Sequence, residues 1–195
     1  MTRPAGLELR WFSSPDEVSA DLRAALTACW GNVANKGGAV GFAELLPVTD
    51  EDVAPVVDDV VADLHPRLSR LLVATHGDAL AGWLRLTGNA NPVTAHWGRV
   101  TSVQTSVEAR GSGVARALMT ELHRSAADDL GLDSLRLEVR GGWGLEAFYE
   151  RFGWTVVGAW PGALQFTQHG RRDEVLMAVD LRPTSAFGVL PRGRR

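Results

Sequence analysis

Cysteine is almost missing from this sequence of 195 residues, which contains only Cys29. A single cysteine cannot form an intrachain disulfide and suits a reducing compartment, so we predict a cytoplasmic protein. Long apolar runs are also missing, and the first residues contain no apolar stretch of signal-peptide length, which predicts neither a membrane span nor an export signal. The net charge is −3 and the largest basic cluster is the tail at 191–195, so no general nucleic-acid binder is expected.

Metal-binding patterns, repeats and linkers are lacking as well. The histidines are scattered and have no acidic or cysteine partners at ligand spacing, so the prediction for metal is none. Since no composition shift divides the chain, we predict one domain over residues 1–182 and a flexible C-terminal tail over 183–195.

Apolar periodicity predicts the order β α α β β β α β α β β. The first strand spans residues 7–12, and a capping box formed by Ser14 and Glu17 predicts the start of the first helix, whose apolar face includes Cys29. Asp52 is predicted as the N-cap of a second helix over 52–64. The remaining predictions are a hairpin of strands 70–75 and 79–86, strand 98–106, helix 113–130, strand 134–140, helix 145–152, and strands 154–160 and 175–181. An antiparallel meander followed by a βαβ-type unit predicts an α+β fold with a mixed sheet.

The stretch EARGSGVARALM, from Glu108 to Met119, is the first candidate for function. Its two glycines lie between a predicted strand and a predicted helix, where backbone N–H groups can converge on an anion. Arg110 could add a charged contact. The residues alone fit a phosphate cradle and a structural strand-to-helix turn equally well. No Gly-Lys-Ser/Thr follows, and Arg116 stands at the third glycine position of a dinucleotide fingerprint, so Walker and Rossmann loops are disfavoured.

A second motif, FYERFGW from Phe148 to Trp154, follows this loop at the distance typical of one family. Together the two motifs resemble the GNAT acetyltransferases over about residues 7–181. The family pattern Arg/Gln-x-x-Gly-x-Gly/Ala binds the pyrophosphate of coenzyme A, and Arg110, Gly111, Ser112, Gly113, Val114 and Ala115 match it. The resemblance implies a mostly antiparallel seven-stranded sheet with a parallel, splayed pair of strands, flanked by helices.

A narrower likeness concerns NKGGAVGF from Asn35 to Phe42, the Trp160-Pro161-Gly162 segment and the Gly170-Arg171 turn. These segments resemble the tabtoxin-resistance acetyltransferases. The likeness implies an acceptor that is a small primary amine, such as an antibiotic, a toxin or an amino-acid-like metabolite. It suggests substrate contacts from Gly38, Val40 and Phe42, although this stretch also fits an ordinary loop that ends a helix.

The resemblance implies direct attack of the amine on acetyl-CoA, with Tyr149 as the acid that protonates the thiolate. A phenol and a thiol have similar basicity, which suits this transfer. Family members often carry a glutamate base where this sequence has Arg99, which cannot accept a proton. Glu138 is the best remaining carboxylate, with pairing to Arg136 or Arg140 as the alternative; His96 and a relayed water are the other options.

The remaining contacts implied by the resemblance involve the strand before the loop. Main-chain groups of Val103 and Thr105 would bond the pantetheine arm, and a backbone N–H near Gln104 would stabilise the oxyanion. The predicted partners are acetyl-CoA and the amine, with no nucleic acid and no membrane, and a homodimer is common in the family. A coenzyme A-binding sensor without catalysis and a protein acetyltransferase are the rival functions.

Overall fold

The computed structural model describes residues 4–38, 41–42, 45–166 and 170–182. Within them the chain forms seven strands and four α-helices, in the order β1 (Leu7–Phe12), α1 (Ala20–Asn35), α2 (Asp50–Ala62), β2 (Ser69–His76), β3 (Ala79–Thr87), β4 (Trp97–Thr105), α3 (Val114–Arg124), β5 (Ser134–Arg140), α4 (Leu145–Glu150), β6 (Thr155–Phe166) and β7 (Gly170–Asp180). The predicted order of elements is therefore confirmed. Val40 and the tail at 183–195, both included in the predictions, lie outside the described residues.

The strands form one sheet in the order β1-β2-β3-β4-β5-β7-β6. Neighbouring strands are antiparallel except β4 and β5, which run parallel. The α3 crossover connects this parallel pair, as a parallel connection requires. The α+β class and the mixed sheet with one parallel pair are confirmed.

Helices cover the sheet on both faces and form two apolar clusters. On one face, α1 and α2 pack against β-strand side chains that include Trp83 of β3. On the other face, α3 and α4 pack against side chains that include Leu137 of β5. Because side chains alternate along a strand, burial of Leu137 places Glu138 on the α1–α2 face of the sheet. Each site residue on β4 and β5 can therefore be assigned either to the α1–α2 face or to the α3–α4 face of the sheet.

Both early helices begin at residues other than those predicted. The capping box of Ser14 and Glu17 is present, but it begins a short 3-10 turn, and α1 begins only at Ala20. Its true N-cap is Ser19, whose hydroxyl accepts from the Leu22 N–H at 3.2 Å. Likewise α2 is capped by Thr49, and Asp52 is the third residue of the helix, whose carboxylate closes the capping box, rather than the cap.

The last hairpin is longer than predicted. β6 continues from the predicted 154–160 to Phe166, and β7 begins at Gly170, five residues before the predicted 175. Most of the added residues are exposed, so they lack the apolar alternation that reveals a strand in sequence. Among the described residues, every helix is too short or too polar to cross a bilayer.

Candidate active site

The sheet opens between the parallel strands β4 and β5. The two pair only where Trp97–Arg99 lies beside Ser134–Arg136, and they separate beyond that point. On its other side β4 has a β-bulge, where Ser102 and Val103 together face Leu84 of β3. Ser102 has a φ of 54°, a left-handed conformation that bulges tolerate and regular strands do not. The bulge bends β4 away from β5, and the splayed pair implied by the family resemblance is present.

A cavity of about 480 Å³ fills this opening. Its walls come from β4, β5, α1, the glycine-rich segment after α1, α4 and the β6–β7 hairpin. Seven residues predicted for the site line it: Gly38, Val103, Gln104, Thr105, Arg110, Glu138 and Tyr149. The cavity therefore brings together most of the residues predicted for catalysis and for the pantetheine arm.

The glycine loop ends in an open helix N-terminus. Gly111 and Gly113 have φ angles of 78° and 90°, which favour glycine, and Gly113 caps α3. The Ala117 N–H donates to the Gly113 carbonyl at 3.0 Å. The N–H groups of the first turn, including those of Val114 and Ala115, precede that bond and have no partner within the helix. Such a terminus attracts anions.

Arginine side chains surround this helix N-terminus. A second cavity, of about 330 Å³, is lined by the loop together with Arg110, Arg116, Arg151 and Phe148. Arg116 and Arg151 were not predicted from the sequence as residues of this site. Arg116 lies in the first turn of α3, so helical periodicity could have placed it beside the loop. Arg151 follows α4 and reaches the loop only through the fold. The two cavities share Thr105 and Arg110, so the loop and the strand opening form one groove.

Tyr149 lies on α4 and is 8% exposed. Its ring packs edge-on against Phe148 and Trp154, with centroids 5.0 Å and 5.9 Å away. Burial raises the pKa of its phenol above the usual range, so the hydroxyl stays protonated at neutral pH. The protonated side chain borders the cavity.

Glu138 forms an ion pair with Arg99. Its Oε1 lies 2.8 Å from Arg99 Nη2, and its Oε2 accepts from Arg99 Nε at 2.9 Å. Glu138 is therefore paired with an arginine, but the prediction of Arg136 or Arg140 as its partner is wrong. Arg136 stacks on Trp97 with its guanidinium 4.0 Å from the ring centroid. Arg99, which stands where the family often has a glutamate, thus binds both carboxylate oxygens of Glu138.

Two other predicted residues lie away from the cavity. His96 is not among the residues that line it; its carbonyl accepts from the Asp133 N–H at 2.8 Å, at the start of β4. Phe42 packs edge-on against Trp30 with centroids 5.5 Å apart, so it supports the cavity wall without lining it. Cys29 is buried in the same cluster, and burial raises the pKa of its thiol to about 11.

The glycine-rich segment closes the cavity at the end of α1. A Cβ on Gly38 would lie 2.5 Å from Val33 Cγ1 and 2.7 Å from the Val33 carbonyl oxygen, so only glycine fits there. Opposite this segment lie Arg140 and Glu174, which sequence reasoning had not proposed as site residues. Arg140 is half-buried, donates to the Gly41 carbonyl at 3.4 Å, and belongs to none of the ion pairs among the described residues.

Comparison with known proteins identifies a protein family for this chain. Residues 49–160, more than half of the chain, match the acetyltransferase (GNAT) domain family. No curated protein matches the sequence significantly. Among solved structures, a protein assigned as a phosphinothricin N-acetyltransferase is 23% identical, with a TM-score of 0.70 and coverage of 91% of this chain and 99% of that one.

Two further structures are similar at lower identity. An acetyltransferase assigned in Salmonella typhimurium, solved with its cofactor acetyl-CoA, is 16% identical, with a TM-score of 0.66 and coverage of 95% and 100%. A ribosomal-protein-alanine N-acetyltransferase from Brucella melitensis is 21% identical, with a TM-score of 0.66 and coverage of 89% and 99%. These structures share the fold. With its matching domain and its sheet opened between β4 and β5, this chain belongs to the GNAT acetyltransferase family.

Proposed function

We propose that this protein is an acetyl-CoA-dependent N-acetyltransferase whose acceptor is the primary amine of a small molecule. The observation that carries the proposal is the single groove formed by the two cavities, which share Thr105 and Arg110. One end of the groove is an anion site and the other contains a buried phenol, Tyr149. An extended ligand with a phosphate at one end and a reactive group at the other fits this arrangement.

The anion end of the groove suits the pyrophosphate of acetyl-CoA. The first-turn N–H groups of α3 and the guanidinium groups of Arg110 and Arg151 would hold it. Gly113 supports this role because it lines the cavity without a side chain and its φ of 90° favours glycine. Main-chain groups of Val103 and Thr105, on the bent part of β4, would bond the pantetheine arm. Acetyl-CoA would supply the thioester that the amine attacks.

The chemistry requires an oxyanion donor and a proton donor but no protein nucleophile. The Gln104 N–H belongs to the ladder with β3 and points away from the opening, so we assign the oxyanion contact to a neighbouring N–H of β4, that of Val103 or Thr105. We assign the proton donor to Tyr149 because it lines the cavity; burial keeps it protonated but also raises its pKa above that of a thiol, so proton transfer to the thiolate is uphill in the free site. Direct attack fits the position of Cys29, a buried thiol that does not line the cavity.

We assign the general base to Glu138, with Arg99 as the residue that orients it. Glu138→Gln should lower kcat by about 10²-fold, since the amide accepts no proton, while the dissociation constant of acetyl-CoA stays the same. Arg99→Gln breaks the same ion pair from the other side but keeps the carboxylate, so its kcat should remain closer to wild type. Steady-state kinetics of both variants test this. Equal losses of kcat in the two variants would mean that the ion pair is structural.

A coenzyme A-binding sensor remains the second candidate, because Arg99 occupies both carboxylate oxygens of Glu138. Release of coenzyme A thiol, measured over a panel of amines that includes antibiotics, separates the two functions. The enzyme should release thiol with at least one amine. Thermal stabilisation by acetyl-CoA without thiol release across the panel would favour the sensor.

Acetyl-CoA binding itself is tested by thermal unfolding. At a ligand concentration of about 100 times the dissociation constant, binding should add about 2.7 kcal/mol to the free energy of unfolding. For a chain of this size the melting temperature should then rise by about 5–10 °C. An unchanged melting temperature at millimolar acetyl-CoA would contradict the proposed function.

A further inference from the structure

The side chain of Gln104 is an unusual feature of the cavity wall. Gln104 is 2% exposed, and neither its Oε1 nor its Nε2 has a hydrogen-bond partner among the described residues. A buried amide without partners costs folding free energy, and native proteins nearly always satisfy such groups. Gln104 nevertheless borders the cavity of the proposed active site. Its unsatisfied amide therefore suggests a partner that is absent from the free protein.

The position of Gln104 in the sheet identifies the side of the cavity on which that partner lies. Gln104 is the cross-strand neighbour of Trp83, so the two side chains point to the same face of the sheet. Trp83 belongs to the apolar cluster of α1 and α2, and its ring packs on Trp30, with centroids 5.2 Å apart. Tyr149 belongs to the cluster on the opposite face. Gln104 therefore faces the α1 side of the opening, where Gly38 lines the cavity.

We propose that the side-chain amide of Gln104 selects the acceptor by hydrogen-bonding an uncharged hydroxyl or amide group that the acceptor carries beside its amine. The inference rests on the proposed function and names a specificity residue for it. A neutral partner is favoured because Gln104 is the cross-strand neighbour of Trp83, whose indole packs on Trp30, and a charge beside these indoles would lose its hydration. A charged acceptor group would instead pair with Arg140.

The amide is closed to solvent in the free protein, so a ligand must gain access to it. The terminal torsion of glutamine is soft, and a small rotation can turn the amide toward the cavity that it borders. The oxyanion and pantetheine contacts are proposed for main-chain groups of Val103 and Thr105, whereas acceptor selection is proposed for the side chain of Gln104. A substitution of Gln104 therefore separates the two roles.

The matched variant is Gln104→Met, which keeps the length of the side chain and removes its polar atoms. The free variant should be as stable as wild type or more stable, because the unsatisfied amide is gone. It should bind acetyl-CoA with an unchanged dissociation constant. Over a panel of butylamine, aminobutanol, aminobutanamide and aminobutanoate, its preference in kcat/KM for the hydroxyl and amide compounds over butylamine should fall about tenfold.

Four results would overturn the proposal. One is a lower melting temperature of the free variant, which would show that the amide is satisfied inside the folded protein. This result would count even if no amine in the panel were turned over. A second is a weaker affinity for acetyl-CoA, which would place the contact on the pantetheine arm. The third is an unchanged preference among the amines, and the fourth is a loss confined to aminobutanoate. Failure of acetyl-CoA to bind the wild type would instead contradict the proposed function.

Discussion

Replacing Gly113 by glutamate should raise the dissociation constant of acetyl-CoA by at least about a hundredfold. Gly113 has a φ of 90° and caps α3 at the centre of the proposed anion site. A glutamate there would add a negative charge to the lining of the cavity that contains the loop and Arg110, and this charge would repel the pyrophosphate. Isothermal titration calorimetry measures the loss directly. Because the left-handed conformation suits only glycine, the variant should also lose about 1–3 kcal/mol of stability.

Gly131→Glu provides the matched control. Gly131 also has a positive φ, of 64°, and follows the other end of the α3 region, with open space around the position of a Cβ. Its substitution should cause a similar loss of stability with no change in acetyl-CoA affinity. Gly113→Gln, which carries the strain without the charge, should bind more tightly than Gly113→Glu. Wild-type affinity in Gly113→Glu would rule out the loop as the pyrophosphate site.

Regular alternation and a single buried face explain which parts of the fold could be predicted. β5 matches its predicted bounds, since its apolar residues alternate with arginines and Glu138 along its whole length. The start of α1 was wrong because two capping signals lie five residues apart, at Ser14 and Ser19, and both are used. Extended backbone at Val18 and Ser19 separates the 3-10 turn from α1, and no local pattern marks it. The added length of β6 was missed because Pro161 and Gly162 indicate a turn in sequence but lie within the strand.

In the candidate site, too, features formed by neighbouring residues could be predicted from the sequence, whereas features formed by residues far apart in the chain could not. The loop from Arg110 to Ala115 is contiguous, so its glycines and the helix after it could be predicted together. The ion pair of Arg99 and Glu138 depends on the register of two strands that lie far apart in sequence, and alternation gives faces but not register. The unsatisfied amide of Gln104 depends on three-dimensional packing against α1, which composition and spacing do not specify.

Replacing Tyr149 by phenylalanine should lower kcat by about 10²- to 10⁴-fold and change the dissociation constant of acetyl-CoA by less than about threefold. The phenyl ring keeps the packing against Phe148 and Trp154, so only the proton donor is lost. Trp154→Phe is the control for packing. It removes the hydrogen bond from the indole to His123 Nε2, 3.0 Å long, and should cost about 1–3 kcal/mol of stability, with a far smaller effect on kcat.

The protonation state of Tyr149 can be measured without interference, since it is the only tyrosine in the sequence. Burial raises its pKa, so tyrosinate absorbance should be absent at pH 10, where an exposed phenol is about half ionised. A raised pKa in the folded state stabilises the protein below the unfolded value of about 10, and this stabilisation is lost as the pH rises above it. The loss of stability above pH 10 should therefore be smaller in Tyr149→Phe than in wild type. Wild-type turnover by Tyr149→Phe would exclude the phenol as the acid, whatever its pKa.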